Sequence, residues 1–506
     1  MRQHFLGGPL RAAGIFGLLF TTALVACGSN GGGSGGSSGS AATSVSSSSI
    51  AAASSDSSVS APNSPASTAF TLQSVSVEAP SGLDSSPFNQ ARTLNVPQGF
   101  GIRVIARLDG ARFLAATPDG GLLVSQPNAS KITLLRRDGS TWRASDFITG
   151  LRLPHDMVFH RSGNTTWLYV SETHRIIRYA WTNGMAKAGS PQVVVANLPN
   201  ASTLGIGSYG HQLKNIALSP DGKLFVAIAS TCNVCESDAN ADPVRGSIYV
   251  YDADGANGRL YARGLRNAEG LDILPATGQL WVAVNNRDQI PYPYQSDFDG
   301  DGHDDYGRVM SGFVDDNPPE PFTAVRDGGD YGWPYCNAGA RAADRFQSLP
   351  LERDMDTNAD GSQRDCSKLD RASLSLPAHS APLGMTFLQD SSLPTPWKNG
   401  AAIALHGCWN CTRLNGHAVV FVPFDGDKPA HEVDMITGWM TDASARSRWG
   451  RPVQRGAFAD GHAVCLGRLQ RHRLRAVPKV SQSRTRAERC WKAYCTAAHW
   501  SFLARA

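Results

Sequence analysis

Four segments of the chain repeat one local design, in which a strand, a tight turn and a second strand follow one another. The turn is Pro-Asp-Gly in the first and third copies and contains a glycine in the other two, as a sharp reversal of the backbone favours. The copies run from Phe113 to Val124, from Asp156 to Val170, from Ile216 to Val226 and from Gly270 to Val282, with looser copies at Gly384 to Leu405 and Val419 to Pro423.

The spacing of these hairpins constrains the fold more than any other feature of the sequence. Units that recur every roughly 40 to 60 residues are typical of propeller blades, whose four-stranded sheets bury their faces only against neighbouring blades. No amphipathic helical pattern of convincing length interrupts them before the tail, so the fold class is all-β. The sequence therefore predicts a six-bladed β-propeller over residues 95–453, with a β-sandwich as the alternative.

The charge of the chain argues against a nucleic-acid partner. The chain has 506 residues with 47 Lys+Arg and 43 Asp+Glu. Eleven of the basic residues but only two of the acids lie in residues 454–506, which leaves 36 basic and 41 acidic residues in the rest. The main body is mildly acidic, whereas nucleic-acid-binding domains carry a basic patch.

The N-terminal segment predicts export and lipid anchoring. Residues 1–26 have a basic head and an apolar run from Ala12 to Ala26, as a secretory signal does. The run ends in Leu24-Val25-Ala26-Cys27, which resembles the lipobox of bacterial lipoproteins, so Cys27 is the expected lipidation site; an ordinary signal peptide is the alternative. Residues 28–68 hold 17 Ser and 7 Gly, a composition that cannot bury a core, and 27–94 is predicted to be a disordered tether.

Five motifs within the predicted propeller resemble one family. Taken together and in this order, they are similar to the soluble quinoprotein sugar dehydrogenases of the glucose/sorbosone dehydrogenase family, six-bladed propellers that use pyrroloquinoline quinone (PQQ) and calcium. The motifs are Tyr209-Gly210-His211-Gln212, Gly264-Leu265-Arg266-Asn267, Asp327-Gly328-Gly329-Asp330-Tyr331-Gly332-Trp333-Pro334-Tyr335, His379-Ser380-Ala381-Pro382-Leu383-Gly384 and His406-Gly407-Cys408-Trp409-Asn410.

The resemblance implies a catalytic base and a set of cofactor contacts. Hydride transfer from a carbinol carbon needs a base for the hydroxyl proton, and histidine titrates near neutrality; by family position this base is His211. Arg266 is its expected catalytic partner, because PQQ carries three carboxylates and gains negative charge on reduction. The other residues expected to contact the cofactor are Arg112, Gln212, Asn267, His406 and Trp409, although a core role for Trp409 is an equal alternative.

Calcium is expected at two places. The resemblance implies one ion near the quinone, with Asp288 as a ligand. A separate segment carries acids at alternate positions and a glycine at the sixth, like the first half of an EF-hand loop, but it has Arg308 where the twelfth-position glutamate would stand. Its predicted ligands are Asp297, Asp299, Asp301 and Asp305, and Asp356 to Gly361 is a poorer copy that is also explained as a solvated loop.

Six cysteines are expected to form disulfides after export. Cys232 with Cys235 and Cys408 with Cys411 are Cys-x-x-Cys pairs, for which zinc or redox chemistry is the cytosolic alternative. Cys336 and Cys366 bracket the second acidic loop. Cys411 also occupies a position where members of the family often have a cofactor-contacting arginine, a charge that only Arg413 is placed to replace.

The C-terminal tail departs from the family after Val453. Residues 454–506 replace the expected last hairpin by a basic segment without clean alternation. We therefore hypothesise that the tail is read out of frame, which would leave the last blade incomplete and its edge unpaired. A basic surface helix and a genuinely divergent tail are the alternatives, and translation of the other two frames past codon 453 tests the hypothesis.

The resemblance implies an oxidoreductase that moves a hydride from a sugar or aldehyde hydrate to PQQ. The expected location is the cell envelope, lipid-anchored and facing the periplasm, with an envelope quinone or cytochrome as electron acceptor. A calcium-dependent lactonase-like propeller and a non-catalytic binding propeller are the alternatives.

Overall fold

The computed structural model describes residues 70–339, 350–457, 463–469 and 498–505, and from residue 455 onward it describes the backbone alone. These residues all belong to the structural unit formed by residues 64–506. Cys27, the signal segment and most of the predicted tether lie outside the described residues.

Six sheets of four or more strands, antiparallel except for one added edge pairing in two of them, follow one another along the described chain, as predicted for a six-bladed propeller. Blade 1 consists of the strands Leu114–Ala116, Leu122–Gln126, Lys131–Asp138 and Thr141–Thr149. Blade 2 consists of Met157–Ser162, Thr165–Ser171, Ile176–Trp181 and Gln192–Val195. Blade 3 consists of Ile216–Leu218, Lys223–Ile228, Ser247–Asp252 and Arg259–Arg263, with Gly329–Asp330 added at the edge.

Blades 4 to 6 complete the ring. Blade 4 consists of Ala268–Leu274, Gln279–Val284, Glu320–Ala324 and Leu374–Leu376. Blade 5 consists of Pro382–Phe387, Gly400–Leu405, Ala418–Asp425 and Val433–Ile436, with Lys428–Pro429 added. Blade 6 consists of Gly450–Ala457, Ala463–Leu469, Ala498–Arg505 and Gly101–Asp109. The described chain also contains the strand pairs Cys336–Asn337 with Glu352–Arg353 and Met440–Asp442 with Ser447–Arg448, the α-helices Glu236–Ala239 and Ser311–Asp316, and the 3-10 turns Pro127–Ala129 and Cys366–Lys368.

The core lies between the blades. Leu123 of blade 1 packs in one cluster with Leu168 of blade 2, and Trp281 of blade 4 packs in another with Ile403 of blade 5. Apolar residues therefore occupy both faces of most blades, and their burial against neighbouring sheets is the main favourable contribution to folding.

The innermost strands approach each other closely where blades 5, 6 and 1 meet. A Cβ at Gly384 would lie 2.4 Å from the Gln454 side chain, so a larger residue there would displace blade 6. The Gln454 side-chain oxygen accepts the backbone N–H of Leu114 at 2.6 Å. These contacts join the last blade to the first at the centre of the ring.

The structure corrects the predicted boundary of the tether. Leu72–Glu78, assigned to the disordered segment, is a strand that pairs with Thr93–Pro97 and Gly101–Asp109. Its Val75 and Val77 pack on a core cluster, while Ser74 and Ser76, which alternate with them, hide the pattern within a serine-rich segment. The ordered region therefore begins before residue 95.

The structure also differs from the expected open ring. Ala463–Leu469 and Ala498–Arg505 of the tail lie as strands between Gly450–Ala457 and Gly101–Asp109. Strand pairing satisfies the backbone groups that an open edge would expose, and both segments hold enough apolar residues for strands. In the described backbone the last blade has four strands, while the reading-frame hypothesis stays a prediction.

Candidate active site

Loops from several blades bring polar residues together at one end of the ring. Because strands alternate in direction within a blade, the loops that precede the innermost strands and those that join the second and third strands open on the same face. Loops of the first type carry Arg112, His155, His211, Arg266 and His379. This face therefore collects side chains from blades 1 to 5.

One ring nitrogen of His211 is held by Ser230. His211 Nδ1 lies 2.9 Å from the Ser230 carbonyl oxygen and 3.0 Å from its hydroxyl. A carbonyl oxygen only accepts, so Nδ1 carries the proton in the neutral imidazole. The other nitrogen, Nε2, is then the one with a lone pair, as a general base requires.

His211 is kept neutral over the ordinary pH range. Burial, and then the nearby positive charge of Arg266, lower its pKa to about 4, against smaller opposing effects of Ser230, Glu269 and Asp288. The imidazole is therefore unprotonated near neutral pH and able to accept a proton.

Arg266 is a buried cation that is held on all sides. Its Nε donates to the Asn233 carbonyl at 3.1 Å, and its Nη1 donates to the Asn286 carbonyl at 2.6 Å. Its Nη2 donates to the Asn233 side-chain oxygen at 3.1 Å and lies 3.5 Å from Asp288 Oδ2. Only 5% of the residue is exposed, so these acceptors replace the hydration of the charge.

Asp288, predicted as a metal ligand, lies among cationic and amide groups. Its carboxylate is 3.6 Å from His379 Nδ1 and 3.5 Å from Arg266 Nη2, and it accepts from Asn410 Nδ2 at 3.4 Å. Burial raises its pKa, but His379 and Arg266 outweigh burial and leave the pKa lowered. The described contacts of this carboxylate are those of an ion-paired group.

A second buried carboxylate, Glu269, lies between an arginine and a buried histidine on the same face, and burial lowers the pKa of that histidine, His155. Its Oε2 lies 3.4 Å from Arg112 Nη2 and 3.4 Å from His155 Nε2; the second distance is long for a hydrogen bond, but His155 has no closer partner among the described residues. Burial opposes its charge, yet Arg112 and His155 lower the pKa of Glu269 to about 2. The group is a permanent negative charge.

The other residues predicted to contact the cofactor differ in their burial and in their hydrogen bonds. The Gln212 side chain accepts from Ala201 N at 3.4 Å, and Asn267 donates to Glu269 at 3.5 Å. His406 is buried, with Nδ1 2.8 Å from the Pro452 carbonyl. Trp409 is 64% exposed, so the core role considered for it is wrong and its ring is available for stacking.

The predicted EF-hand-like loop brings three of its four predicted ligands together. Ligand oxygens of Asp297, Asp299 and Asp305 lie within 4.8 Å of one another, whereas Asp301 is outside this group. Backbone N–H groups of Gly300 and Gly302 donate to Asp297 and lower its pKa.

The poorer acidic copy is built into an ion pair. Asp356 accepts from Arg287 Nη2 at 3.0 Å, and Asp354 accepts from Arg287 Nη1 at 2.6 Å. Both Arg287 and Asp354 are buried, so Asp356, the first acid of this segment, joins a buried arginine that already has one carboxylate partner.

All three predicted disulfides are present. Cys232 bonds to Cys235, Cys336 to Cys366 and Cys408 to Cys411. Arg446 holds the Cys408–Cys411 loop, because it donates hydrogen bonds to the carbonyls of Cys411 and Trp409. Arg413 is exposed in the same segment.

Sequence reasoning missed several residues of the site: Asn233, Glu269, Asn410 and Arg446. Glu269 follows the Arg266-Asn267 pair by two positions, and its apolar neighbours Leu271 and Ile273 mark a buried strand, so an acid there was a usable signal. Both asparagines lie inside Cys-x-x-Cys loops. Nothing local marks Arg446.

The site offers unpartnered polar atoms to an anionic, planar cofactor. Arg112 Nε and Asn410 Oδ1 are buried and have no hydrogen-bond partner among the described residues. A donor on a cationic side chain suits a carboxylate or a quinone oxygen, and the exposed Trp409 ring suits a planar group. These residues fit PQQ in chemical character.

Comparison with known protein families identifies the family of the chain. Residues 94–445, well over half of its length, match the family model described as TrAA12-like. The chain belongs to the TrAA12-like family. This confirms the sugar-dehydrogenase type of propeller family expected from the five motifs.

Solved structures similar to this TrAA12-like chain support the fold. The PQQ domain of pyranose dehydrogenase from Coprinopsis cinerea, in its holo form, is 19% identical, with a TM-score of 0.60 over 82% of this chain and 97% of that one. The calcium structure of a family AA12 carbohydrate-active enzyme from Trichoderma reesei is also 19% identical, with a TM-score of 0.60 over 81% and 96% of the two chains.

A curated relative matches over a shorter stretch. An uncharacterised protein of Borreliella burgdorferi is 22% identical over 247 residues, which are 48% of this chain and 54% of that protein. The match thus spans about half the length of the curated relative. Within the described part of the TrAA12-like chain, no helix has both the length and the apolar character that a bilayer span needs.

Proposed function

We propose that the chain is a PQQ-dependent dehydrogenase that takes a hydride from a sugar carbinol or an aldehyde hydrate. The observation that carries the proposal is the pairing of His211 Nδ1 with Ser230, which leaves Nε2 as a base on the same face as Arg112 and Arg266. Membership of the TrAA12-like family supports it, as does the likeness to the PQQ domain of a pyranose dehydrogenase.

His211 removes the substrate hydroxyl proton in this proposal. The Ser230 carbonyl fixes the ring and accepts from its Nδ1–H, so it stabilises the imidazolium that forms when Nε2 takes the proton. Arg266 holds a positive charge where negative charge develops, and its own contacts keep it in place before the reaction.

PQQ, when bound, supplies the electron-pair acceptor for the hydride. Arg112 would donate its unpartnered Nε to an acidic group of the cofactor. Trp409 would cover one face of a planar ring, while Asn267, His406 and Gln212 would line the rest of the site. The Glu269 carboxylate directs the Arg112 guanidinium by pairing with its Nη2.

Calcium is proposed at the loop that carries Asp297, Asp299 and Asp305, where three carboxylates converge. Oxygen ligands at this density suit a hard divalent cation. Asp305 also pairs with Arg308, but Arg308 is exposed and a bound ion would replace it. Asp288 does not fit the same role, because its partner Arg266 is buried in place and its other described contacts are His379 and Asn410. We therefore assign no reaction step to a calcium ion at Asp288.

We also propose that the enzyme is anchored through Cys27 at the cell envelope, on its periplasmic side, and passes electrons to an envelope quinone or cytochrome. The lipobox-like Leu24-Val25-Ala26-Cys27 sequence and three disulfides support export to an oxidising compartment. Metabolic labelling with palmitate tests the anchor: Cys27→Ala should lose the label, and a labelled Cys27→Ala protein contradicts it.

The test of the activity is dye reduction by the purified protein with a panel of aldoses, aldehydes and polyols, with and without PQQ and calcium. Activity that requires PQQ supports the proposal. A protein that melts cooperatively but reduces no dye with any substrate contradicts it and returns attention to a lactonase or a binding propeller.

A further inference from the structure

The two Cys-x-x-Cys loops occupy equivalent places on either side of Asp288. Cys232–Cys235 lies in the loop that joins the second and third strands of blade 3, and Cys408–Cys411 lies in the corresponding loop of blade 5. Asp288 lies in the corresponding loop of blade 4. Each disulfide loop therefore reaches the same residue from a neighbouring blade.

Each loop presents one asparagine to Asp288. In the blade 3 loop, Asn233 Nδ2 donates to the Asp288 carbonyl at 2.7 Å, and Asn233 Oδ1 accepts the Asp288 N–H at 2.7 Å. In the blade 5 loop, Asn410 Nδ2 donates to the Asp288 carboxylate at 3.4 Å. One asparagine thus holds the backbone of Asp288 and the other contacts its side chain.

Asn233 also holds the buried guanidinium. Its carbonyl accepts from Arg266 Nε and its side-chain oxygen accepts from Arg266 Nη2, both at 3.1 Å. The same carbonyl accepts from Trp333 Nε1 at 3.1 Å. Asn233 therefore connects a charged residue of the site, an ion-paired aspartate and a buried indole through one short segment.

The disulfide explains why so short a segment can do this. Asn233 has to offer its carbonyl and both atoms of its side-chain amide in fixed directions, which requires a single backbone conformation. A covalent bond between residues 232 and 235 restricts the conformations that the loop can adopt. A loop without that closure would have to be ordered by its hydrogen bonds alone.

We propose that Asn233 is a positioning residue that fixes Arg266 and Asp288, that the Cys232–Cys235 disulfide sets its orientation, and that Asn410 in the Cys408–Cys411 loop restrains the Asp288 carboxylate from the opposite side. The inference concerns the site used in the proposed function, and its test therefore rests first on two measurements that need no activity.

The first measurement is the rate at which an arginine-specific dicarbonyl reagent modifies Arg266, followed by mass spectrometry on the full chain. Asn233→Ala should raise this rate at least tenfold, because the variant loses the side-chain acceptor and frees the loop. Arg143, which is exposed, serves as an internal standard. Val234→Ala is the matched control, since it keeps Asn233 and both cysteines, and its rate should equal that of the wild type.

The second measurement is hydrogen exchange of the peptide that contains Asp288. The Asp288 N–H donates to Asn233 Oδ1, so Asn233→Ala should exchange this amide at least tenfold faster, while Asn410→Ala should not. Asn410→Ala should also leave Arg266 protected, because its described contact is with the carboxylate of Asp288. Equal effects of the two substitutions on Arg266 would overturn the assignment.

The role of the disulfide has its own variant. Cys232→Ser combined with Cys235→Ser should reproduce the increased modification of Arg266, and wild-type protein treated with a thiol reductant should approach the same rate. If Asn233→Ala misfolds, the double serine variant still decides the question, because a cooperatively melting variant with a protected Arg266 refutes the proposal.

PQQ affinity separates this inference from the proposed function. If wild-type protein binds PQQ, the Asn233→Ala variant should bind it at least tenfold more weakly, whereas Val234→Ala should not change. If the wild type binds none, the proposed function fails, and the modification and exchange rates still confirm or refute the positioning role of Asn233.

Discussion

His211 Nδ1 lies 2.9 Å from the carbonyl oxygen of Ser230, a contact that leaves the Nε2 lone pair free to accept a proton. If His211 is the base, His211→Ala should reduce dehydrogenase turnover by about 10²- to 10⁴-fold, the usual contribution of general base catalysis. Steady-state dye reduction at saturating PQQ measures this. His431→Ala, at an exposed position, is the control and should keep full turnover; an unchanged His211→Ala enzyme would rule out the mechanism.

The pKa of His211 gives a second prediction. Burial and the charge of Arg266 lower this pKa to about 4, so a base that works in its neutral form should remain competent down to about that pH. Arg266→Gln removes the cationic contribution and should move the pKa upward, toward the ordinary value of about 6.5. NMR titration of histidine-labelled protein measures both values without any turnover, and a pKa that is unchanged in the variant contradicts the assigned coupling.

Glu269 gives a prediction about stability. Glu269→Ala leaves Arg112 and the buried His155 without their shared carboxylate, and loss of one partner from a buried pair costs about 3 to 5 kcal/mol. Glu269→Gln keeps an acceptor and should cost less. Urea denaturation at pH 7 measures the free energy of unfolding. An exposed ion pair contributes up to roughly 1 kcal/mol. If both variants unfold within that margin of the wild type, this ion pair is unimportant for stability.

The depressed pKa of Glu269 also predicts a pH window. Because the folded pKa of about 2 is below the usual 4.5, the carboxylate stabilises the fold above pH 4.5, and this contribution is lost as pH falls toward 2. Glu269→Gln should flatten that part of the stability curve. Thermal melts between pH 2 and 6 provide the comparison with the wild type.

Much of the fold could be predicted because short local sequences determine its turns. Pro118-Asp119-Gly120 separates the strands Leu114–Ala116 and Leu122–Gln126, as predicted, and Pro220-Asp221-Gly222 does the same in blade 3. Leu72–Glu78 was missed, because its exposed alternate residues are Ser74, Ser76 and Glu78, and the two serines resemble the preceding low-complexity segment.

The site was harder to predict, because its contacts join distant parts of the chain. Asn410 contacts Asp288 across 122 positions and Asn233 does so across 55, and no local pattern records which loops meet on one face of the ring. The family motifs located His211 and Arg266 at that face, but their hydrogen-bond partners depend on loop geometry. Asp288 was therefore predicted as a metal ligand while its actual neighbours are cations and amides.

The acidic loop predicts a dependence on calcium. If Asp297, Asp299 and Asp305 bind the ion, a chelator should lower the melting temperature of the wild type, because a ligand bound only to the native state stabilises it. Asp297→Asn should melt at the chelated temperature and should not respond to calcium. Asp304→Asn, a neighbouring exposed acid outside the cluster, is the control; a chelator effect of equal size in Asp297→Asn would place the ion elsewhere.

Lys214 is a buried lysine whose charge gives a prediction about stability and pH. Its side chain is fully buried, with Nζ 2.5 Å from the Gln212 carbonyl and 5.3 Å from the centre of the Tyr209 ring. Among the described residues no carboxylate forms an ion pair with it. Burial therefore lowers the pKa of Lys214 from 10.5 to about 7.

The sign of the Lys214 effect follows from this shift. Between pH 10.5 and 7 the unfolded chain binds a proton that the folded chain does not, so the folded state loses stability as pH falls through this window. Lys214→Met removes the titrating group and should raise the free energy of unfolding by on the order of a few kcal/mol at pH 6, but hardly at all near pH 10.5. Denaturant melts at both pH values measure the difference, with the exposed Lys223→Met as control. An equal gain at the two pH values would mean that packing, and not the buried charge, accounts for the change.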